Sequence, residues 1–254
     1  LLTFVITYNT KHLKEGIYMT KNTDVVIAGC GVSGLYCALN LPEDVDITII
    51  SKDALENSDS FLAQGGICVL KDESDYDSYF EDTMRAGHYE NNKESVDIMI
   101  RSSQDVIHDL VSYGVRFEKE DGHFAYTREG AHSTPRILFH EDITGKEITS
   151  HLLDAAQKCK NITIYEYVTM TDLICDESGC NGIVAKDNKT GEIININATT
   201  TVLATGGIGG LYEHSTNFPH LTGDSISLAK KYGIKLMNLD YVQIHPTTLY
   251  SDKP

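Results

Sequence analysis

Basic side chains are scarce in this sequence. Its 254 residues include 21 Lys and Arg against 37 Asp and Glu, a formal net charge of −16. Nucleic acids and anionic membrane surfaces are bound through basic faces, so this charge argues against both kinds of partner. The sequence also lacks any apolar run approaching the roughly 20 residues that a transmembrane helix needs. No membrane association is expected.

Closely paired cysteines are missing as well. The six cysteines stand at positions 30, 37, 68, 159, 175 and 180, and no two of them form a Cys-x-x-Cys motif. This usage predicts reduced thiols and a cytoplasmic protein, and it assigns no metal site. Cys175 and Cys180 flank Asp-Glu-Ser-Gly. A metal or disulfide pair is one interpretation of this spacing, and a β-turn edged by two small apolar residues is the favoured one.

The sequence does contain a glycine-rich turn in a suggestive setting. Residues 24–52 consist of an apolar strand, a Gly-x-Gly-x-x-Gly turn, a helical segment and a second apolar strand. In such a unit Gly29 makes the tight turn, Gly31 lets the backbone approach a pyrophosphate, and Gly34 lets the helix pack closely on the strand. The pattern predicts a dinucleotide site.

The end of the second strand leaves the identity of the dinucleotide open. Ser51 and Lys52 stand where an NAD site carries an Asp or Glu for the ribose hydroxyls. Simple NAD binding is therefore disfavoured. The Ser-Lys pair is suited either to the 2′-phosphate of NADP or to bordering the adenosine of an FAD that other segments hold.

Apolar periodicity predicts the remaining secondary structure. Helices are predicted over 75–86, 93–113, 144–160 and 222–232, and strands over 162–165, 170–175, 182–186, 193–197 and 200–204. One face of the 93–113 helix is predicted to be core and consists of Ile98, Val106, Ile107, Leu110 and Val111. The sequence thus predicts an α/β fold, a doubly wound parallel sheet of Rossmann type with an inserted β-meander.

Four motifs in a fixed order carry a family resemblance. They are Gly-Cys-Gly-Val-Ser-Gly at 29–34, Ala-Gln-Gly-Gly at 63–66, Ala-Thr-Gly-Gly at 204–207 and Gln-Ile-His-Pro-Thr at 243–247. Together they resemble the flavoprotein family of succinate dehydrogenase, fumarate reductase and L-aspartate oxidase, over residues 19–250. The resemblance implies FAD as the cofactor.

Two positions separate the branches of that family. Succinate dehydrogenases tether the flavin to a His five residues before the Gln of Ala-Gln-Gly-Gly, and here Asp59 stands five residues before Gln64. The resemblance therefore implies non-covalent FAD. The segment 127–133, Thr-Arg-Glu-Gly-Ala-His-Ser, resembles the Arg-Glu-Gly-Gly-His-Ser stretch of L-aspartate oxidases, with Ala131 in place of the second glycine. Both positions favour the L-aspartate oxidase branch.

The resemblance also implies roles for side chains around the substrate. Glu129 would neutralise the substrate ammonium, which requires an anionic partner when it leaves water. His245 would donate a hydrogen bond to a substrate carboxylate, with Gln243 beside the same pocket. His132 and His140 are equally compatible with a loop or a core position. A catalytic Arg, further carboxylate-binding residues and a C-terminal FAD segment are expected beyond Pro254.

The residues implied to contact FAD come from several separated segments. They are Gly29, Cys30, Gly31, Val32, Ser33, Gly34, Ser51, Lys52, Ser60, Ala63, Gln64, Gly65, Gly66, Val168, Ala204, Thr205, Gly206, Gly207 and Asp224. Asp224 is expected to order the backbone on the flavin side. Ser225 replaces the glycine that ends the related Thr-Gly-Asp-Gly motif, so its φ is expected to be negative.

The activity implied by the resemblance is oxidation of L-aspartate to iminoaspartate by hydride transfer to FAD, the first step towards quinolinate and NAD biosynthesis. Oxygen or fumarate would accept the electrons, and quinolinate synthase is the implied protein partner. Two alternatives stay open. One is a non-covalent flavoprotein of the fumarate reductase or succinate dehydrogenase type, and the other is an FAD-binding module without activity of its own.

The N-terminal residues do not resemble the start of this fold. Lys14-Glu15-Gly16, just ahead of Met19, is what a purine-rich ribosome-binding site would encode if it were translated. Residues 1–18 are therefore predicted to be translated upstream sequence. Residues 19–254 are predicted to be an incomplete FAD-binding domain that ends at the start of a capping domain.

Overall fold

The computed structural model describes residues 19–244, and strands and helices alternate along most of this range. The strands are β1 (Met19–Ala28), β2 (Ile47–Ile50), β3 (Ile67–Cys68), β4 (Lys119–Glu120), β5 (His123–Phe124), β6 (Ile137–Leu138), β7 (Ile162–Tyr165), β8 (Val168–Asp176), β9 (Gly179–Asp187) and β10 (Ile193–Leu203). The helices are α1 (Val32–Leu39), α2 (Asp59–Leu62), α3 (Tyr76–Ala86), α4 (Lys93–Ser112), α5 (Thr144–Lys158) and α6 (Asp224–Lys231). The helices predicted at 75–86, 144–160 and 222–232 are confirmed to within two residues at each end.

A six-stranded sheet in the order β7-β2-β1-β10-β9-β8 forms the centre of the fold. The first four strands of this order run parallel to one another, and β9 and β8 continue the sheet in antiparallel fashion. Residues 25–28 and 47–50 are buried throughout, as expected for parallel strands covered on both faces. The predicted parallel α/β sheet with a β-meander is confirmed.

Strand β10 differs from the prediction in one respect. Separate strands were expected at 193–197 and 200–204, but one continuous strand spans Ile193–Leu203. Its first half pairs with β9, while residues 194–203 pair in parallel with β1. This pairing also lets β1 begin at Met19, ahead of the apolar run that starts at Val25. The meander therefore belongs to the main sheet and shares a strand with it.

Helices cover both faces of the sheet, which makes it doubly wound. Alternate residues of β1 point to opposite sides, so Ile27 joins a core with α1, α4 and α5, whereas Val26 joins a second core. Leu228 of α6 lies in that second core. None of the helices within 19–244 is long and apolar enough to cross a bilayer.

The predicted apolar face of α4 is only partly correct. Ile107 and Leu110 are buried, but Ile98 and Val111 are 60% and 42% exposed. The buried residues follow one another at alternating steps of four and three, which keeps them on one side of the helix. They are Val96, Ile100, Ser103, Ile107 and Leu110. Ile98 and Val111 lie outside this stripe and face solvent.

The two cysteines nearest each other in sequence lie in a hairpin. Cys175 and Cys180 are cross-strand partners in β8 and β9, and residues 177–178 form the turn between these strands. All six thiols are free. The favoured β-turn interpretation is confirmed. Across the part of the chain that the structure describes, no cluster of three or more His, Cys, Asp or Glu side chains is arranged to hold a metal ion.

Candidate functional site

A cavity of about 470 Å³ opens at the carboxyl ends of β1, β2 and β10. Since β1 lies at the point where connections leave to either side of a parallel sheet, this is where ligands of such folds bind. The lining combines the turn after β1, the end of β2, the α2 region, β8, the end of β10 and the start of α6. It consists of Ala28, Gly29, Cys30, Gly31, Val32, Ser33, Ile50, Ser51, Lys52, Asn57, Ser58, Asp59, Ser60, Val168, Met170, Val202, Leu203, Ala204, Thr205, Gly206, His220, Leu221, Asp224 and Ser225.

Two of the glycines after β1 occupy positions that exclude any side chain. Gly29 has φ +121°, and a Cβ there would lie 2.1 Å from the Ala204 carbonyl oxygen. A Cβ on Gly34 would lie 2.0 Å from the Gly29 carbonyl oxygen. These contacts bring α1 against β1 and bring the turn against the end of β10. Gly34 thus acts through helix packing and lies outside the cavity lining.

The start of α1 presents backbone amides to the cavity. The first hydrogen bond of this helix runs from Leu35 N to Gly31 O, so the amides of residues 32–34 precede it. Val32 N donates to Ser60 Oγ at 3.0 Å. Amides at a helix N-terminus carry partial positive charge and bind phosphate groups. Val32, Ser33 and Ser60 all line the cavity, as a pyrophosphate site requires.

Gly29→Ala is expected to destabilise the protein far more than Gly179→Ala. The two glycines have nearly the same φ, +121° and +126°, but a Cβ on Gly179 meets no atom within 4 Å. Both variants incur the cost of a positive φ that L-residues rarely adopt, about 1–3 kcal/mol, and only Gly29→Ala adds a clash with backbone. Urea unfolding measures the difference. Equal losses in the two variants would contradict the role assigned to Gly29.

Lys52 is fully engaged by the protein itself. Its ammonium donates to His220 O at 3.0 Å, Thr222 Oγ1 at 2.8 Å and Asp224 Oδ2 at 2.9 Å. An ammonium has three protons, and these contacts use all of them. Lys52 is therefore not available to bind a 2′-phosphate, which favours FAD over NADP. Asp224 is held by the same ion pair and also accepts from Thr222 at 2.7 Å.

Asp59 and Ser58 border the cavity from the α2 side. Asp59 Oδ1 accepts a hydrogen bond from Phe218 N at 3.0 Å, so the chain near 218 is attached to α2. Ser58 Oγ is buried and makes no hydrogen bond with any residue of 19–244. An unpaired buried hydroxyl is costly, and a polar ligand in the cavity would satisfy it. Together with the glycine turn and the helix amides, this fits a dinucleotide.

Ser225 is accommodated as expected. It lies in the first turn of α6 and is not among the residues with positive φ, while Gly223 just before the helix takes φ +71°. Its hydroxyl shares a hydrogen bond of 2.6 Å with Thr205 Oγ1. The start of α6 is thereby joined to the turn after β10.

Cys30, between Gly29 and Gly31 in the glycine turn, is buried. Burial raises the pKa of its thiol to about 12, so the thiol stays neutral.

Besides Gly34, five of the residues expected at the cofactor do not line this cavity. They are Ala63, Gln64, Gly65, Gly66 and Gly207. The turn 63–66 is exposed and faces a different loop. A Cβ on Gly65 would lie 3.5 Å from both carboxylate oxygens of Glu129. The structure therefore brings the Glu129 carboxylate, predicted to bind the substrate ammonium, next to the turn 63–66, which was predicted to contact the flavin.

Glu129 lies on a loop that is closed at its base. Thr127 and Ile137 exchange backbone hydrogen bonds of 2.9 and 3.1 Å, and His132 N donates to Glu129 O at 3.4 Å. Ala131, which replaces a glycine of the resembling motif, has φ +71°. It thus keeps a glycine-like left-handed conformation, which costs an Ala about 1–2 kcal/mol. The surrounding contacts must hold this turn in place.

Sequence reasoning missed the residue that organises the loop. Arg136 is fully buried. Its guanidinium donates to Asp75 at 3.0 and 2.8 Å and to Asp82 at 2.7 Å. Burial alone would raise the pKa of Asp82, but hydrogen bonds from Ser133 and Arg136 outweigh it and hold that pKa well below its usual range. The only signal in the sequence is an Arg placed directly before the buried strand β6.

His132 is bonded on both sides of its ring. Nδ1 lies 3.0 Å from an Arg136 Nη1 and Nε2 lies 3.3 Å from Cys68 Sγ. Because a guanidinium only donates, Nδ1 accepts, and the proton of neutral His132 is on Nε2. Burial and the neighbouring Arg136 lower the pKa of His132.

His140 lies half-buried between two glutamates. Its Nδ1 is 3.7 Å from Glu118 Oε1 and its Nε2 is 3.8 Å from Glu147 Oε2.

The last predicted substrate residues are at the edge of the described range. Gln243 is exposed. His245 lies outside the described residues, as do residues 1–18 with their predicted upstream origin. The placement of His245 beside the substrate therefore stays a prediction.

Comparison with known proteins decides the family. Residues 24–254 match the FAD binding domain family. The chain belongs to this family. FAD as the cofactor, expected from the glycine motifs, is thereby confirmed, and the NADP alternative is set aside.

Two clostridial proteins are among those similar to this chain. The chain is 45% identical over 92% of its length to the L-aspartate oxidase of Clostridium perfringens, and 43% identical over 91% to that of Clostridium acetobutylicum. It covers 53% of each relative. An E. coli quinol fumarate reductase matches 84% of the chain with a TM-score of 0.81 and 26% identity, over 37% of its own chain. The chain thus spans about half the length of the curated relatives it matches.

Proposed function

We propose that the whole protein oxidises L-aspartate to iminoaspartate. The observation that carries this proposal is the 45% identity, over 92% of the chain, to an L-aspartate oxidase. Bound FAD would supply the acceptor for the two electrons that leave the substrate Cα as a hydride. The chain contributes the groups that hold the cofactor and one group that selects the substrate.

The cofactor-holding groups are those of the cavity. The backbone amide of Ser33, at the start of α1, and the hydroxyl of Ser60 would receive the pyrophosphate. Ser58 Oγ, buried and unpaired within the described range, would gain a partner on binding. The turn 204–206 approaches Gly29 and closes the cavity from the β10 side. Val168 and Asp224 complete the wall.

Glu129 is the group that would select aspartate. Its carboxylate lies beside Gly65, in the turn that the family resemblance places at the flavin. Aspartate and fumarate are both four-carbon dicarboxylates, but only aspartate carries an ammonium. A carboxylate at this point would neutralise that ammonium and orient the Cα hydrogen. His245 and Gln243 would hold substrate carboxylates.

FAD is proposed to bind without a covalent bond. Asp59, at the position of the tethering His in succinate dehydrogenases, lines the cavity but accepts a hydrogen bond from Phe218 N instead. A carboxylate does not form the histidyl linkage. Acid precipitation of the purified whole protein is expected to release all yellow colour into the supernatant. Flavin retained in the pellet would overturn this proposal.

Oxygen and fumarate are the proposed electron acceptors. Quinolinate synthase is the proposed protein partner, and the cytoplasm is the proposed location. Six free thiols support a reducing compartment.

A fumarate reductase or succinate dehydrogenase activity is the competing function, and the fold similarity to quinol fumarate reductase supports it. Glu129 distinguishes the two, since neither succinate nor fumarate needs an anionic partner.

Anaerobic flavin bleaching tests the proposed function. The whole protein, loaded with FAD, is mixed with L-aspartate or with succinate and its absorbance near the flavin maximum is followed. We expect L-aspartate to bleach the flavin and succinate to leave it oxidised on the same timescale. Bleaching by succinate alone would replace the proposal with the competing function. Bleaching by neither would reduce the chain to an FAD-binding module.

A further inference from the structure

The loop that carries Glu129 is anchored at three points. Its base is closed by the Thr127–Ile137 backbone pair. Ser133 is held by Asp82 Oδ2, which accepts from its backbone N at 2.6 Å and from its hydroxyl at 2.7 Å. The third anchor is the ring of His132. Glu129 itself makes no side-chain bond among the described contacts of this loop, so these anchors decide where its carboxylate lies.

We infer that His132 is a positioning residue that fixes the Glu129 carboxylate for recognition of the substrate ammonium. This inference rests on the proposed function. His132 follows Glu129 by three residues, and its backbone N–H donates to the Glu129 carbonyl. A ring held in place therefore holds both ends of the turn that begins at Glu129.

The neighbours of His132 require an imidazole. On one side Arg136 presents a donor, and on the other Cys68 Sγ presents an acceptor. A neutral imidazole offers one acceptor and one donor across a rigid plane, which matches both. Arg136 is in turn fixed by Asp75 and Asp82. The position of Glu129 thus depends, through His132 and Arg136, on the buried ion pairs of Arg136 with Asp75 and Asp82.

The turn needs such an anchor because it is strained. Ala131 lies between Glu129 and His132 with φ +71°. An Ala holds this conformation only when its surroundings over-determine it. Loss of the His132 contacts would let Ala131 relax to negative φ, and the carboxylate of Glu129 would leave Gly65. His132 therefore acts on substrate selection without touching the substrate.

A pair of substitutions separates this role from simple packing. His132→Leu fills similar space and removes both ring contacts, whereas His132→Asn keeps an acceptor near Nδ1 for Arg136. In the whole FAD-loaded enzyme we expect kcat/KM for L-aspartate to fall about tenfold or more in His132→Leu, because this variant loses the hydrogen bond with the charged Arg136. We expect a fall of about threefold or less in His132→Asn, because this variant retains that bond. Fumarate reduction by the same samples should change by less than about twofold.

A double-mutant cycle with Glu129→Gln gives the decisive readout. If His132 acts through Glu129, then His132→Leu should have less than about twofold further effect on aspartate use in the Glu129→Gln background. Additive losses, or equal losses with aspartate and fumarate, would overturn the inference.

Should His132→Leu not fold, Cys68→Ala provides a second variant, because it removes only the acceptor of the His132 Nε2–H. It is expected to lower kcat/KM for L-aspartate alone, and by less than His132→Leu. An unchanged kcat/KM in that variant would count against the inference. A wild-type enzyme without aspartate activity would instead overturn the proposed function, and the inference with it.

Discussion

Glu129→Gln in the whole enzyme is expected to lower kcat/KM for L-aspartate on the order of tenfold to more than a hundredfold, since a hydrogen bond to a buried charge contributes about 1.5–3 kcal/mol. Fumarate reduction should stay near the wild-type rate, because fumarate has no ammonium to neutralise. The amide keeps the size of Glu129, removes its charge and replaces one acceptor oxygen with an NH2 donor. Steady-state kinetics with the two substrates measures the ratio.

Two variants control this experiment. Glu120→Gln removes an exposed carboxylate from the β4–β5 hairpin, and both activities should be unchanged. His245→Ala should instead damage both reactions, since both substrates present the carboxylates that it is proposed to hold. Equal losses with aspartate and fumarate in Glu129→Gln would make Glu129 a structural residue. The aspartate assignment would then depend on similarity alone.

Arg136→Met is expected to reduce the free energy of unfolding by about 3–5 kcal/mol, because it removes the cation that pairs with buried Asp75 and leaves buried Asp82 paired with the exposed Arg85 alone. Asp75 and Asp82 are 7% and 3% exposed and cannot be rehydrated without opening the protein. Methionine fills the space of the aliphatic part of Arg136, so the loss mainly reports removal of the guanidinium with its charge and hydrogen bonds. Urea unfolding of the chain measures it.

Arg85→Met is the matched control for this variant. Arg85 also contacts Asp82, at 2.6 Å, but its side chain is 55% exposed. Exposed ion pairs contribute at most about 1 kcal/mol, so the control should lose far less than Arg136→Met. Similar losses in the two variants would show that burial of Arg136 is not the source of its stabilising effect.

Local sequence patterns predicted much of the fold and of the cavity lining. The strand, glycine turn and helix at 25–39 are readable because they follow one another directly in the sequence, and Gly34 packs against Gly29 only five residues before it. Helix α5 is readable from its apolar spacing. The position of Ser225 was also foreseeable, since Gly223 supplies the positive φ that the helix start requires.

Long-range polar pairing could not be predicted. Arg136 reaches Asp75 across 61 residues, and Lys52 reaches Asp224 across 172. A single charged residue has no periodicity that indicates its partner, and a buried Arg looks like an exposed one in sequence. The same limit applies to α4, where Ile98 is as apolar as its buried neighbours but lies outside the stripe that meets the core.

The double pairing of β10 restricts how chains of this kind can change in length. A one-residue deletion within the strand would turn every following side chain to the opposite face of the sheet. It would also displace the Ala204 carbonyl, which lies 2.1 Å from where a Cβ on Gly29 would stand. Insertions and deletions in the meander are therefore tolerable only in its hairpin turns, at 177–178 and 188–192, where they leave the register of β10 on β1 intact.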